Sequence, residues 1–347
     1  MQKFNKHIVG QDQTLKSIAA LYNLPVEELK RFHNNHCEVR DMILITLTDQ
    51  KELFLPRTAV ADKSRLVPFG HGNTLMFQPE DVSCRYGVII IIENGNTRNE
   101  LKYETMVRWL KSENHLHYFE VDRIPKLYLN EEEVNEIADL LAYKTSKVLY
   151  PLQVSTDRKG KLQSIENGTA FKERWPGIKK EVFKEFGGET VEGYCLKMEE
   201  ILQEPEKVSL LMKNDYFLRT LFFGIYQGFG RHYKTEEIEN FPVVNNPVEA
   251  NYRIALEIDP VKDEYDQIQL EGYGTLYDER SASDFISRFP FSPGAEQQAD
   301  MNTDGSFRMQ YYLNGQTSFP ESMYLECSIK LTERKKVSVV IAKIDDE

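Results

Sequence analysis

The stretch FNKHIVGQDQTLKSIAALYNLPVEELKRFHNNHCEVRDMILITLTDQKELFLP, residues 4–56, reads as one small unit of strand, helix, helix and strand. A β-prone run at residues 7–9 opens it, and Glu52-Leu53-Phe54-Leu55 closes it before Pro56, which cannot donate to a ladder. Thr14 is a good N-cap, and Leu15, Ile18, Ala19 and Tyr22 follow at helical spacing, giving a single apolar stripe to bury. The second helix starts at Pro25, where a missing N–H costs no helical bond, and it carries Val26, Leu29 and Phe32 on one face.

The ordered series Thr14-Leu15, Ser17-Ile18-Ala19, Val26-Glu27-Glu28-Leu29, Asn34-Asn35 and Leu53-Phe54-Leu55-Pro56 resembles a LysM module. That pattern has a Gly-Asp-Thr-Leu turn, a Ser-Ile-Ala helix, a Val-Glu-Leu helix ending in Asn-Asn, and a final Gly-Gln-x-Leu-x-Ile-Pro strand. The chain departs from it at the turn, where Asp12 and Gln13 stand for glycine and aspartate, and at Gln50, where a glycine precedes the last strand. A hydrophobic run, residues 42–47, also lengthens the connection after the second helix.

The resemblance implies a βααβ fold and a shallow groove walled by the strand-to-helix turn and the helix-to-strand loop. It makes Asp12, Gln13, Thr14, Leu15, Asn34 and Asn35 the candidate binding residues. The ligand it implies is a polymer of N-acetylglucosamine such as peptidoglycan. Glycine lets a backbone approach a sugar closely, so its replacement on both walls turns the expectation towards a protein partner. A purely structural remnant is the third alternative.

Outward from this unit, residues 57–84 lack periodicity and contain Pro68, Gly70, Gly72 and Pro79, which predicts a linker or irregular loop with one short strand at residues 75–77. Residues 85–347 then predict one larger α+β domain, an antiparallel sheet with a central helical block. The β-branched run of residues 86–92 opens a group of strands reaching residue 129, with pieces at 105–110, 117–121 and 126–129.

Asn130 and Glu133 look like a capping box, predicting a helix over 130–149 with Val134, Ile137, Leu141 and Val148 facing the core. Residues 152–165 predict a hairpin turning at 157–160. Residues 169–226 predict helices interrupted near Gly187-Gly188 and Pro205, with a kink or restart at Pro176. The last of them, residues 208–226, is aromatic enough to be packed deeply. Alternating apolar residues over 250–344, separated by turn chemistry, predict an antiparallel meander with one wet face.

The 347 residues carry a net charge of −12, which argues against nonspecific binding to nucleic acid or anionic membrane. No apolar run is long enough to span a bilayer, so membrane insertion is not expected. The polar Met1–Lys6 is unlike a secretory leader, which predicts a cytoplasmic protein, or a periplasmic or exported one if a leader has been trimmed. Cys37, Cys84, Cys195 and Cys327 are scattered and read as free thiols.

Catalytic and metal-binding patterns are weak. His33 and His36 beside Cys37 have ligand-like spacing but lack further ligands, and His115 and His117 alternate on an expected strand. The run DMNTD, residues 300–304, lacks the glycine and distal glutamate of a calcium loop. No phosphate loop, nucleophile elbow, zinc helix or dinucleotide fingerprint occurs, and no cofactor is expected.

The sequence therefore predicts a non-enzymatic binding or adaptor protein whose two parts mediate protein assembly. Leaderless LysM-bearing proteins resemble components of bacterial contractile injection machines, of the type VI secretion or phage-tail kind. A peptidoglycan-binding envelope anchor is the alternative, and an enzyme targeted by the module is a third possibility.

Overall fold

A computed structural model describes residues 4–10, 13–133, 136–230, 232–245, 248–287 and 303–344. The N-terminal unit runs β1 (Asn5–Ile8), α1 (Leu15–Leu21), α2 (Val26–Asn34), β2 (Glu52–Leu55), with β1 and β2 antiparallel. The Thr14 side chain accepts the Ser17 N–H while the Ser17 side chain accepts that of Thr14, a full capping box that fixes where α1 begins. Leu15, Ile18, Ala19, Leu29, Ile43, Leu53 and Leu55 form this unit's own core.

The remaining elements are β3 (Ser83–Asn94), β4 (Thr97–Glu113), β5 (Leu116–Leu129), β6 (Glu132–Glu133), α3 (Ile137–Ser146), β7 (Leu152–Thr156), β8 (Leu162–Ile165), α4 (Gly168–Glu185), α5 (Glu189–Leu202), α6 (Pro205–Met212), α7 (Tyr216–Leu221), β9 (Lys234–Asn245), β10 (Val248–Ile258), β11 (Gln267–Leu276), α8 (Ala282–Ile286), β12 (Gly305–Asn314), β13 (Pro320–Lys330) and β14 (Arg334–Ile344). All strands from β3 onward join one antiparallel sheet in the order β8-β7-β5-β4-β3-β14-β13-β12-β11-β10-β9, with β6 paired to β5. The C-terminal meander is thus joined to the earlier strands through β14 and β3, Val339 lying opposite Ile90. The architecture is α+β.

Alternation decides which face is inward. Tyr252, Ile254, Leu256 and Ile258 on β10 and Met323, Leu325, Cys327 and Ile329 on β13 are buried. Four tyrosines bury their rings and donate their hydroxyls to backbone carbonyls: Tyr86 to Pro320 at 2.5 Å, Tyr226 to Ser318 at 2.9 Å, Tyr252 to Ser328 at 3.1 Å and Tyr311 to Thr220 at 2.7 Å. Each phenol therefore fills apolar space without stranding a polar atom.

The two ends of the sheet meet across a seam. Residues 222–229, FFGIYQGF, run along the hairpin of β7 and β8: Leu162 N–H donates to the Phe222 carbonyl at 3.1 Å and Tyr226 N–H to the Lys159 carbonyl at 3.1 Å. On the other side of this segment Leu75 N–H donates to the Gln227 carbonyl at 3.0 Å. Lys159 and Lys161 then reach Glu237 and Glu239 on β9, at 3.1 and 2.7 Å. Phe222, Phe223, Ile225, Tyr226 and Phe229 are all buried here, each contributing about 1.5–3 kcal/mol of apolar burial.

Several elements differ from the sequence expectations. Asn130 and Glu131 take positive φ, 51° and 71°, and form a tight turn from β5 to β6, so the helix starts at Ile137 and the capping box does not exist. Ile137 is 67% exposed, whereas Leu141 and Val148 are buried; Val134 lies outside the described residues. Helix α4 continues through Pro176 because Phe171, Trp175 and Val182 anchor both sides of it in the core, outweighing one lost hydrogen bond.

The expected aromatic helix over 208–226 is instead α6, α7 and the extended seam segment, and Leu210 is 65% exposed. Residues 57–84 do not hang free as a linker, since Val67, Leu75 and Val82 belong to the core of the large sheet. No helix among the described residues is long and apolar enough to cross a membrane.

The turn at Asp157–Gly160 is tested directly by substitution. Gly160 has φ +71°, and a Cβ there would lie 2.6 Å from the Tyr226 ring. Gly160→Ala is expected to lower stability by about 2–4 kcal/mol through backbone strain and overpacking, read as a shift in the urea midpoint. Gly177→Ala, where a Cβ meets nothing within 4 Å, should leave the midpoint unchanged or raise it slightly.

Candidate functional site

The turn into α1 and the loop before β2 face each other across a groove of about 480 Å³. Val9, Gly10, Gln13, Thr14 and Leu15 form one wall, Ile45 to Lys51 form the other, and Val26 also lines it. On the first wall His7 sets the geometry. Its Nε2 lies 2.7 Å from Gln13 Oε1 and its Nδ1 lies 3.0 Å from the Tyr22 hydroxyl.

Because a carboxamide oxygen only accepts, the bond to Gln13 requires a proton on Nε2, and in that neutral tautomer Nδ1 accepts from Tyr22. Burial pushes the Tyr22 hydroxyl up. Gln13 Oε1 also receives the Gly10 N–H at 2.9 Å, so its amide nitrogen is the donor these bonds leave over.

The second wall is held from beneath. Asn34 grips Ile43 twice, donating to its carbonyl at 2.9 Å and accepting its N–H at 2.8 Å. His33, fully buried, holds the Asp41 carbonyl at 3.0 Å and the Phe54 N–H at 3.1 Å. Gln50 accepts the Thr48 N–H at 2.8 Å and donates to the Met42 carbonyl at 3.4 Å. These bonds fix the loop while leaving two of its aliphatic side chains outside: Leu44 is 80% exposed, and Ile45, which lines the groove, 83%.

Of the candidate residues, Gln13, Thr14 and Leu15 line the groove together. Asn34 and Asn35 do not: the first is the staple on Ile43 and the second caps α2. Asp12 lies outside the described residues. Ile45 to Lys51, in the helix-to-strand loop, line the groove without being among the candidate residues; the apolar run at residues 42–47 interrupting a polar stretch is their signal in the sequence.

The metal-like histidines separate. Both His33 nitrogens are occupied by backbone groups, and His36 stacks on Phe32. His115 sits in the β4–β5 turn with φ 68°, so it does not share a strand face with His117, whose Nδ1 meets Ser112 Oγ at 2.8 Å. Among the described residues no three His, Cys, Asp or Glu side chains gather as metal ligands. Residues 300–302 of DMNTD lie outside the described residues. Cys37, Cys84, Cys195 and Cys327 are free thiols.

A second cluster of perturbed groups lies inside the large domain. The Arg123 guanidinium is sandwiched between the Tyr103 and Tyr150 rings at 4.6 and 4.9 Å. Nearby, burial pushes the Asp215 carboxyl up against the opposing pull of the Leu218 N–H and Arg123. Asp215 is the N-cap of α7, and this cluster ties strands to helix within the core.

No protein-family model matches the chain, and no curated protein does. Among solved structures, a chain from a structure of lipid–protein interactions in lipovitellin is similar at 10% identity with a TM-score of 0.40, over 78% of this chain. This protein spans 25% of that lipovitellin chain. A chain from the complex of Pseudomonas aeruginosa MucA and MucB aligns at 7% identity and a TM-score of 0.12, over 76% of this chain and 89% of its own. Neither likeness is close enough to define the fold or a function.

Asn34 provides the test of how the groove is built. Asn34→Ala removes both bonds to a buried backbone at Ile43 and is expected to cost about 1–3 kcal/mol locally. Hydrogen exchange over residues 40–47 should accelerate by roughly ten- to a hundredfold, while that of β13 stays unchanged.

Proposed function

We propose that this is a non-enzymatic binding protein whose N-terminal unit grips a segment of another protein while the large domain serves as a rigid platform. The observation that carries this reading is the character of the groove. Among the described residues its lining includes Val9, Leu15, Val26, Ile45 and Leu47 but no Trp, Tyr or Phe on which a sugar ring could stack, and Ile45 is exposed along it, as is its chain neighbour Leu44. Exposed aliphatic side chains at the rim of a concave surface are a feature of contact sites between proteins.

The setting we propose is an assembly of the contractile injection kind, type VI secretion or phage-tail-like. This rests on the resemblance of residues 4–56 to a LysM module. The same resemblance supports a second reading, peptidoglycan binding, which is favoured by the hydrogen-bonding side chains of Gln13, Thr14, Thr46, Thr48 and Gln50 along the groove.

Paired substitutions separate the two. Leu44→Asp and Ile45→Asp remove exposed apolar contacts, and each should weaken capture of a baseplate, spike or tail-tube protein by roughly ten- to a hundredfold, with thermal unfolding unchanged. Cosedimentation with purified peptidoglycan that is lost in Gln13→Ala and Thr14→Ala but kept in Ile45→Asp would instead establish the glycan reading.

A further inference from the structure

The groove does not end at the N-terminal unit. Thr14, Lys16 and His232 line both it and a second cleft of about 590 Å³, whose other walls belong to the large sheet: Lys234 on β9, Glu257 on β10, and Gln269 and Glu271 on β11. The Lys16 ammonium bridges the two parts, 2.7 Å from Asp259. The two hollows therefore adjoin at these residues, with an aliphatic end between α1 and residues 45–51 and a charged end on the sheet.

The charged end is unbalanced. Lys16 is taken by Asp259, and Lys234 by Glu257 at 2.8 Å. Among the described residues Glu271 receives only neutral donors, the Tyr273 hydroxyl at 3.1 Å and the Gln310 amide at 3.3 Å. Moreover Glu257 and Glu271 stand directly opposite each other in the β10–β11 ladder. Like charges at facing positions of an antiparallel pair repel, and a single lysine cannot satisfy both.

We propose that the two adjoining hollows act as one channel that seats an extended peptide segment of the partner, with an aliphatic side chain against Ile45 and Leu47 and a lysine or arginine placed at Glu271. The inference rests on the protein-contact reading above and adds to it the chemistry of the bound segment and the participation of the large domain. The cation would relieve the Glu257–Glu271 repulsion as it binds, so the pairing would supply specificity as well as attraction.

A displayed library of random peptides, selected on the full chain, tests this. The expected consensus joins an aliphatic residue to a downstream or upstream Lys or Arg. For a selected peptide, Glu271→Lys should weaken binding by roughly tenfold or more, with the effect shrinking at high salt. Alanine in place of the peptide's basic residue should weaken binding to the native chain but add little to the Glu271→Lys defect. Because Glu271→Lys replaces a like-charge pair by an opposite one, its melting temperature should be equal or higher, so lost binding would not reflect lost folding.

Peptides selected without a basic residue, or bound within about twofold by Glu271→Lys while Ile45→Asp abolishes binding, would overturn the inference and leave the protein-contact reading intact. A library that yields no peptide, together with cosedimentation on peptidoglycan, would overturn both.

Discussion

The closing of the large sheet on itself is the constraint on which the rest depends. An antiparallel sheet of this length has two ends whose backbone groups need partners, and an open end would be a template for pairing with other chains. Here β8 and β9 do not pair with each other directly. Residues 222–229 lie in the gap, satisfying the β7–β8 hairpin by backbone bonds and filling the interior with aromatic rings, while Lys159 and Lys161 reach across to Glu237 and Glu239. The seam combines what an edge requires, hydrogen-bond partners and covered apolar surface, in one short segment.

The N-terminal unit is positioned by that same body. Asp62 N–H donates to the Leu21 carbonyl at 2.7 Å and Arg65 to the Asn23 side chain at 2.9 Å, while Val67 N–H donates to the Pro260 carbonyl at 3.0 Å. Together with the Lys16–Asp259 pair these contacts set one wall of the groove beside β10 and β11. A rigid body behind a shallow groove limits the ordering that binding must impose.

Much of this arrangement was legible. Thr14 announced α1, Asp157 to Gly160 announced a hairpin, and the alternation around Tyr252 and Met323 identified the inward face, because caps, turns and period-two patterns are local. What was not legible depended on distant partners. Asn130 looked like an N-cap, yet β5 continues to that point and a tight turn of positive φ takes precedence over helix initiation. Asn34 looked like a groove residue, yet Ile43, nine positions later, needed both its donor and its acceptor. On the helix-to-strand loop, the residues that line the groove are Ile45 to Lys51, further along the chain than the candidates Asn34 and Asn35.

The junction of β3 with β14 has a consequence in time. Chains are made from the N-terminus, and the residue opposite Arg85 is Ile344. The N-terminal unit takes all its core contacts from residues that emerge together, so it can assemble while synthesis continues. The β-branched run Val88 to Ile92 cannot: one side of β3 meets β4 at once, but the other stays without its strand until nearly the whole described chain has been made. During that interval a long, β-branched strand has an open edge, which is the kind of template that pairs with other chains.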